Sequence, residues 1–106
     1  MSEESIFITY VGDSPRMRLL QYLIEGRDVD YTLTDMLNAN VSWGTLHHIV
    51  PLMLECGLLV QTRKIGRATL YKINQKNEVA QQFIVLYDKL LSQRLHEIQE
   101  VTEVIV

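Results

Sequence analysis

The chain has 106 residues, a length suited to one domain, and its 47% apolar and 22% charged residues are an ordinary globular composition that excludes disorder along the whole chain. A single cysteine, Cys56, excludes an internal disulfide, and no Cys or His pair has the spacing of a zinc site, so neither a metal nor a cofactor is expected. The net charge of −3 is unevenly spread: residues 14–76 carry +3 between flanks of −3 each, and between Glu55 and Glu78 the five bases Arg63, Lys64, Arg67, Lys72 and Lys76 occur without an acid, a stripe that suits a polyanion or a solvated hairpin.

The opening MSEES is acidic where a secretory signal would be basic, and no apolar run approaches the roughly 20 residues of a membrane span. A soluble, cytoplasmic protein is the expectation. Residues 5–11, SIFITYV, are rich in β-branched and aromatic types, so residues 1–13 read as an N-terminal arm or short strand closed by Gly12 and Asp13. Ser14 and Pro15 open a first helix, with a hydroxyl to cap it and a proline preset for its first turn. Leu19, Leu20, Leu23 and Ile24 recur at helical spacing before Gly26. Thr32 and Asp35 form a capping pair for a second helix of about two turns, with Leu33, Met36 and Leu37 on its inner face. Asn38, Ala39 and Asn40 form the following turn, since asparagine tolerates left-handed backbone, and Val41 plugs the angle between helices.

Ser42 caps a third helix whose stripe of Leu46, Ile49, Val50, Met53 and Leu54 runs up to Gly57. Pro51 falls inside it and predicts a kinked but unbroken helix. Cys56, at the helix end, reads as a buried, inert thiol. Two extended runs, Leu58 to Thr62 and Ala68 to Ile73, flank Ile65, Gly66 and Arg67 as a β-hairpin. Asn77 then caps a long helix through Val79, Phe83, Leu86, Tyr87, Leu90, Leu91, Leu95, Ile98 and Val101. The tail TEVIV and the segment IFITYV are both able to pair as strands, and the sequence leaves that pairing open.

This order of parts is that of a winged helix-turn-helix, and the stretch VSWGTLHHIVPLMLECGLLVQTRKIGRATLYKIN resembles the small winged-helix transcriptional regulators of the broad ArsR-like and MarR-like class, of archaeal type. The resemblance covers roughly residues 14–76 and rests on the Val-Ser entrance, the apolar places of Leu46, Val50 and Met53, Gly57, and the hairpin wing. One departure concerns MLNANVS, a residue shorter than usual and with Asn40 where glycine is common, which leaves the angle between the second and third helices open. The resemblance implies a mainly α fold with a small β-hairpin wing and a regulator, in the first instance a repressor, that reads double-stranded DNA; the long C-terminal helix after it would pair two copies, and a two-fold dimer implies a pseudo-palindromic site.

In such a motif the third helix enters the major groove with its first turns. Subtracting the core stripe leaves Ser42, Trp43, Gly44, Thr45, His47 and His48 as the DNA-facing set. Thr45 offers a hydroxyl to bases and a methyl to thymine, and the two histidines offer donors to phosphate or guanine, where an ordinary solvated pair is the alternative. Trp43 suits either DNA contact or packing on the second helix or the wing, and Gly44 either admits a phosphate or is a tolerated first-turn glycine. In the wing, Lys64, Gly66 and Arg67 occupy the tip, and Arg63 and Lys72 on the strands are placed to neutralise phosphates. Arg16 and Arg18 at the start of the first helix are candidate backbone clamps.

Residues 77–106 form a C-terminal helix and tail, and the helix is too long merely to cap a small core, so Phe83, Leu86, Tyr87, Leu90, Leu91, Leu95 and Ile98 are assigned to a homodimer interface, with the part around Val79 and Phe83 packing back on the first helix. The chain lacks a nucleophile paired with a base, a defined pair of carboxylates and a phosphate-binding glycine loop, so an enzyme is not expected. A DNA-organising or plasmid-partition protein that spreads on DNA and a winged-helix protein adaptor are the alternatives to a regulator, and any small-molecule effector is left undetermined.

Overall fold

The computed structural model describes the backbone of residues 5–105 and the side chains of residues 5–98. Its elements are α1 (Ile6–Val11), α2 (Pro15–Glu25), α3 (Leu33–Met36) running into a 3₁₀ turn (Leu37–Ala39), α4 (Trp43–Glu55), β1 (Leu59–Ile65), β2 (Ala68–Ile73) and α5 (Glu78–Ile105). It is a mainly helical fold with one two-stranded antiparallel hairpin. Glu3 and Glu4 lie outside the described residues, as does the Val101 side chain.

Every helix that the sequence marks with a hydroxyl or amide cap starts there. Ser14 accepts from the Met17 amide at 3.1 Å, and Ser42 from the Thr45 amide at 3.2 Å. Asn77 accepts from the Ala80 amide at 2.9 Å, and Thr32 and Asp35 complete a reciprocal capping box. Each such cap is worth about 1 kcal/mol and fixes the register of the helix behind it. Between α3 and α4, Asn40 takes the left-handed conformation (φ 62°, ψ 47°) and Val41 is buried. Helix α4 is continuous across Pro51, which sits on its exposed side. It ends in a Schellman motif: Gly57 at φ 83° lets the Leu58 amide reach the Met53 carbonyl at 3.0 Å and its own amide reach Leu54 at 3.2 Å. A Cβ on Gly57 would stand 2.8 Å from the Asn77 side-chain nitrogen. Cys56 at this end is exposed rather than buried, because it follows the core stripe instead of lying on it.

Residues 6–11 form a helix, not the strand that their β-branched composition suggests. Ser5 caps it by accepting from the Ile8 amide at 3.1 Å and donates its hydroxyl to Gln21 on α2. Phe7 and Ile8 are buried, and the Phe7 ring lies 5.7 Å from that of Tyr87. A helix satisfies its backbone internally, whereas a strand at this place would need an edge to pair with, so packing of Phe7 overrides local propensity. Residues 102–105 continue α5 and IFITYV is α1, so these residues are helical and do not pair as strands; Val106 lies outside the described residues.

The core is one cluster. Leu19, Leu20, Leu23 and Ile24 of α2 meet Leu46, Ile49, Val50 and Met53 of α4, closed below by Leu59 and Ile73 of the hairpin and above by Phe7 and Ala80. Among the described residues, helix α5 joins this cluster along its first half, through Ala80, Phe83, Ile84, Tyr87 and Leu90. Leu90 is 4% exposed within the single chain, so it belongs to the chain's own core and not to an outward stripe; Phe83 and Tyr87 are likewise partly covered by the same cluster. Arg27 fastens α5 to the end of α2 by a bidentate pair with Asp88, at 2.9 and 2.7 Å, which holds the Asp88 carboxyl below its ordinary range. Every described residue from 91 to 98 is exposed, and the molecule is 55 Å long against 31 and 24 Å across. Among the described residues no helix is long and apolar enough to cross a membrane.

Phe7→Ala should cost about 3–5 kcal/mol in urea unfolding, the range for a buried phenylalanine, whereas a loose arm would lose almost nothing. Burial first, and then the 2.7 Å hydrogen bond to Glu25, push the Tyr87 hydroxyl up to about 12 from its ordinary 10.0. The folded chain therefore holds that proton where the unfolded chain releases it, so stability is full below pH 10 and falls as pH rises toward about 12. Tyr87→Phe should remove part of this alkaline decline, and urea midpoints measured across the interval that match the parent's would contradict the assignment.

Candidate nucleic-acid interface

The buried stripe of α4 fixes which of its residues face out. With Leu46, Ile49, Val50 and Met53 in the core, Trp43, Gly44, His47 and His48 are exposed on the first two turns. Trp43 is 48% exposed, and its ring meets that of His47 edge-on, with centroids 4.6 Å apart and planes at 78°. Nothing lies within 4 Å of a Cβ built on Gly44. Ser42 and Thr45 are tied to each other, since the Ser42 hydroxyl donates to Thr45 Oγ1 at 2.8 Å while also capping the helix. Thr45 is half-buried, less open to solvent than Trp43, Gly44, His47 and His48.

The hairpin pairs Ile65 with Ala68, so the turn is Gly66 and Arg67 alone. Gly66 has φ 61° at the first central position, which is where a tight hairpin turn of this twist demands glycine. Lys64 and Arg67 are exposed at the tip, together with Ile65, and Lys72 is half-buried on β2. Arg63 is differently placed. It lies beside a bulge between Gln61 and Arg63, and although exposed its guanidinium grips Asp30 through Nε at 2.9 Å and Nη2 at 3.2 Å. Spacing along the strand gave no warning of this, because the bulge shifts the register at that point.

Of the two arginines on α2, Arg16 is exposed, whereas Arg18 is taken up within the fold. Its Nη1 pairs with Asp13 at 2.6 Å and its Nε donates to the Asn40 carbonyl at 3.1 Å, so it braces the corner between α3 and α4. Sequence reading also passed over Tyr31, which forms a one-residue antiparallel bridge to Tyr71 and extends the hairpin toward the helices. A lone bridging residue inside a loop has no periodicity to reveal it.

These pieces converge. A shallow cleft of about 270 Å³ lies between the start of α3, Trp43 at the start of α4 and the hairpin, lined by Thr32, Leu33, Thr34, Trp43, Arg67, Ala68, Thr69 and Tyr71. The exposed first turn of one helix and the basic tip of the wing thus border a single concave face. Among the described residues no group of three or more His, Cys, Asp or Glu is placed to hold a metal ion.

No family model matches the chain, and no curated protein matches its sequence. Solved structures do resemble it. NadR in complex with 4-hydroxyphenylacetate has a TM-score of 0.66 at 17% identity, covering 91% of this chain and 67% of that one. The adhesin competence repressor AdcR from Streptococcus pyogenes has a TM-score of 0.59 at 16% identity, covering 81% of this chain and 64% of that one. Sso10a-2, a DNA-binding protein from Sulfolobus solfataricus, has a TM-score of 0.52 at 12% identity and is covered over 94% of its length, against 84% of this chain. The chain therefore spans about two thirds of the first two. With the capped helix pair, the left-handed corner at Asn40, the α4 stripe and the hairpin in chain order, the chain has the winged helix-turn-helix fold.

Proposed function

We propose that the protein binds double-stranded DNA as a homodimer and regulates transcription from a pseudo-palindromic site, acting as a repressor by occupying it. The observation that carries this reading is the cleft that Trp43, on the exposed first turn of α4, shares with Arg67 at the basic wing tip. A helix of this diameter fits the major groove, and a hairpin beside it reaches the neighbouring backbone or minor groove. Trp43, Gly44, His47 and His48 are the groove-facing set, with Ser42 and Thr45 holding the helix start. Lys64, Arg67 and Lys72 supply the wing's charge and Arg16 a further backbone contact, while Gly66 lets the tip approach closely. Local charge accounts for how a chain of net −3 approaches a polyanion, since the acids lie mostly outside residues 14–76. The likeness to a repressor and to a DNA-binding protein supports the same reading.

Dimerisation follows from the outer half of α5. Leu91, Leu95 and Ile98 recur at steps of four and three, are exposed, and lie on a helix that runs on past the core; Leu86 is exposed on its earlier turns. At 28 residues and about 1.5 Å per residue, α5 is about 42 Å long, enough to give a second copy a self-complementary apolar seam. Two-fold pairing places two α4 helices about 34 Å apart, one turn of DNA.

Binding to duplex DNA, followed by fluorescence anisotropy at several salt concentrations, should weaken as salt rises, and Arg67→Ala or Lys64→Ala should each lower the slope by about one phosphate contact. Parent-like slopes in both variants would remove the wing from the interface. Leu95→Asp should give monomers in sedimentation equilibrium without loss of helicity. This position is preferred to Leu90, whose replacement would disrupt the core, and a parent-like mass would refute the α5 seam.

A further inference from the structure

We propose that Asp30 is a positioning residue that sets the angle of the wing against α4, and so places Lys64 and Arg67 on DNA; the proposal rests on the DNA-binding reading above. Every residue of β1 after Leu59 is exposed, so packing gives the outer hairpin little hold, and a bare two-stranded hairpin is at best marginally ordered in water. Asp30 supplies a hold at the point where the strand bends. Its carboxylate accepts from the Thr62 hydroxyl at 2.6 Å and from Arg63 Nε and Nη2 at 2.9 and 3.2 Å, so three hydrogen bonds converge on two consecutive residues at the bulge.

The next residue along, Tyr31, holds the opposite strand. Its amide donates to the Tyr71 carbonyl at 2.6 Å, and its carbonyl accepts in return from the Tyr71 amide at 2.8 Å. One short loop therefore grips β1 through a side chain and β2 through the backbone. The Asp30 side chain is 17% exposed and that of Arg63 60%. The hydrogen bond from Arg63, and then that from Thr62, hold the carboxyl down to about 2, so it is charged at neutral pH. A pair this open to solvent adds little to global stability. What it does provide is direction, since a bidentate guanidinium fixes both distance and plane.

Asp30→Asn, with Thr62→Val as a second variant, tests this in two ways. Hydrogen exchange on the free protein should quicken at the amides of β1 and the wing turn while those of α2 and α4 and the melting temperature stay at parent values. In the salt titration, Asp30→Asn should lower the slope by about one contact or more, and adding Arg67→Ala to it should lower it no further, because a wing that has swung away has no contact left to lose. A rise in affinity and slope would overturn the proposal and make Asp30 a counter-ion competing with phosphate for Arg63. Unchanged exchange and slope would overturn it outright. If the parent shows no salt-dependent binding to duplex DNA, the functional reading fails, and the exchange measurement still decides whether Asp30 holds the hairpin.

Discussion

Helix α4 has to satisfy two demands at once, and the cap at Ser42 reconciles them. Burying Leu46, Ile49, Val50 and Met53 is worth about 1.5–3 kcal/mol per side chain and commits one face of the helix to the core. The first turns of the opposite face are then left in solvent with amides that have no partner of their own, and Ser42 satisfies one of these through the Thr45 amide. Shifting the helix start by one residue would rotate Trp43 and His47 by about 100° at 3.6 residues per turn, away from the wing. The cap therefore fixes stability and aim together.

Around that helix the fold uses short connections, each held by a specific contact. Asn40 turns the chain between α3 and α4 in a left-handed conformation, and Arg18 braces its carbonyl. Gly57 ends α4 with a Schellman turn that sends the chain straight into β1. The wing is carried between two anchors, the buried Leu59, Leu70 and Ile73 at its base and the Asp30 and Tyr31 pair alongside. Arg63 and Arg18 both have basic side chains yet are spent on internal acids and a carbonyl, which leaves Arg16, Lys64, Arg67 and Lys72 as the cations of the proposed interface without a hydrogen-bond or ion-pair partner among the described residues. Charge counted along a sequence overstates what a surface can offer, because ion pairing within the fold is invisible to it.

Helix α5 divides into two regimes. Its first half is ordinary core, closed from above by α1 through the contact of Phe7 with Tyr87 and pinned by Arg27 to Asp88. Its outer half shows solvent a sparse apolar seam of Leu91, Leu95 and Ile98. The apolar spacing is continuous across both halves, since a helix keeps its period whether its partner is its own domain or another copy. Where one use gives way to the other is set by the reach of the globular core.

What the sequence determined by itself was whatever rests on local chemistry. The caps at Ser14, Thr32, Ser42 and Asn77, the left-handed Asn40, the 3.6-residue stripe of α4 and the glycine turn of the wing all follow from residue types at fixed offsets, and they sufficed to place the helices and hairpin in order. Tertiary structure alone decided the rest. Residues 6–11 are helical with Phe7 buried in the core, Leu90 is inward as part of the chain's own core cluster, and Arg63, beside a bulge, pairs with Asp30 from a loop far back in the chain. Each of these depends on contacts between residues far apart in the chain, and their strength exceeds the local preferences that a pattern of residue types records.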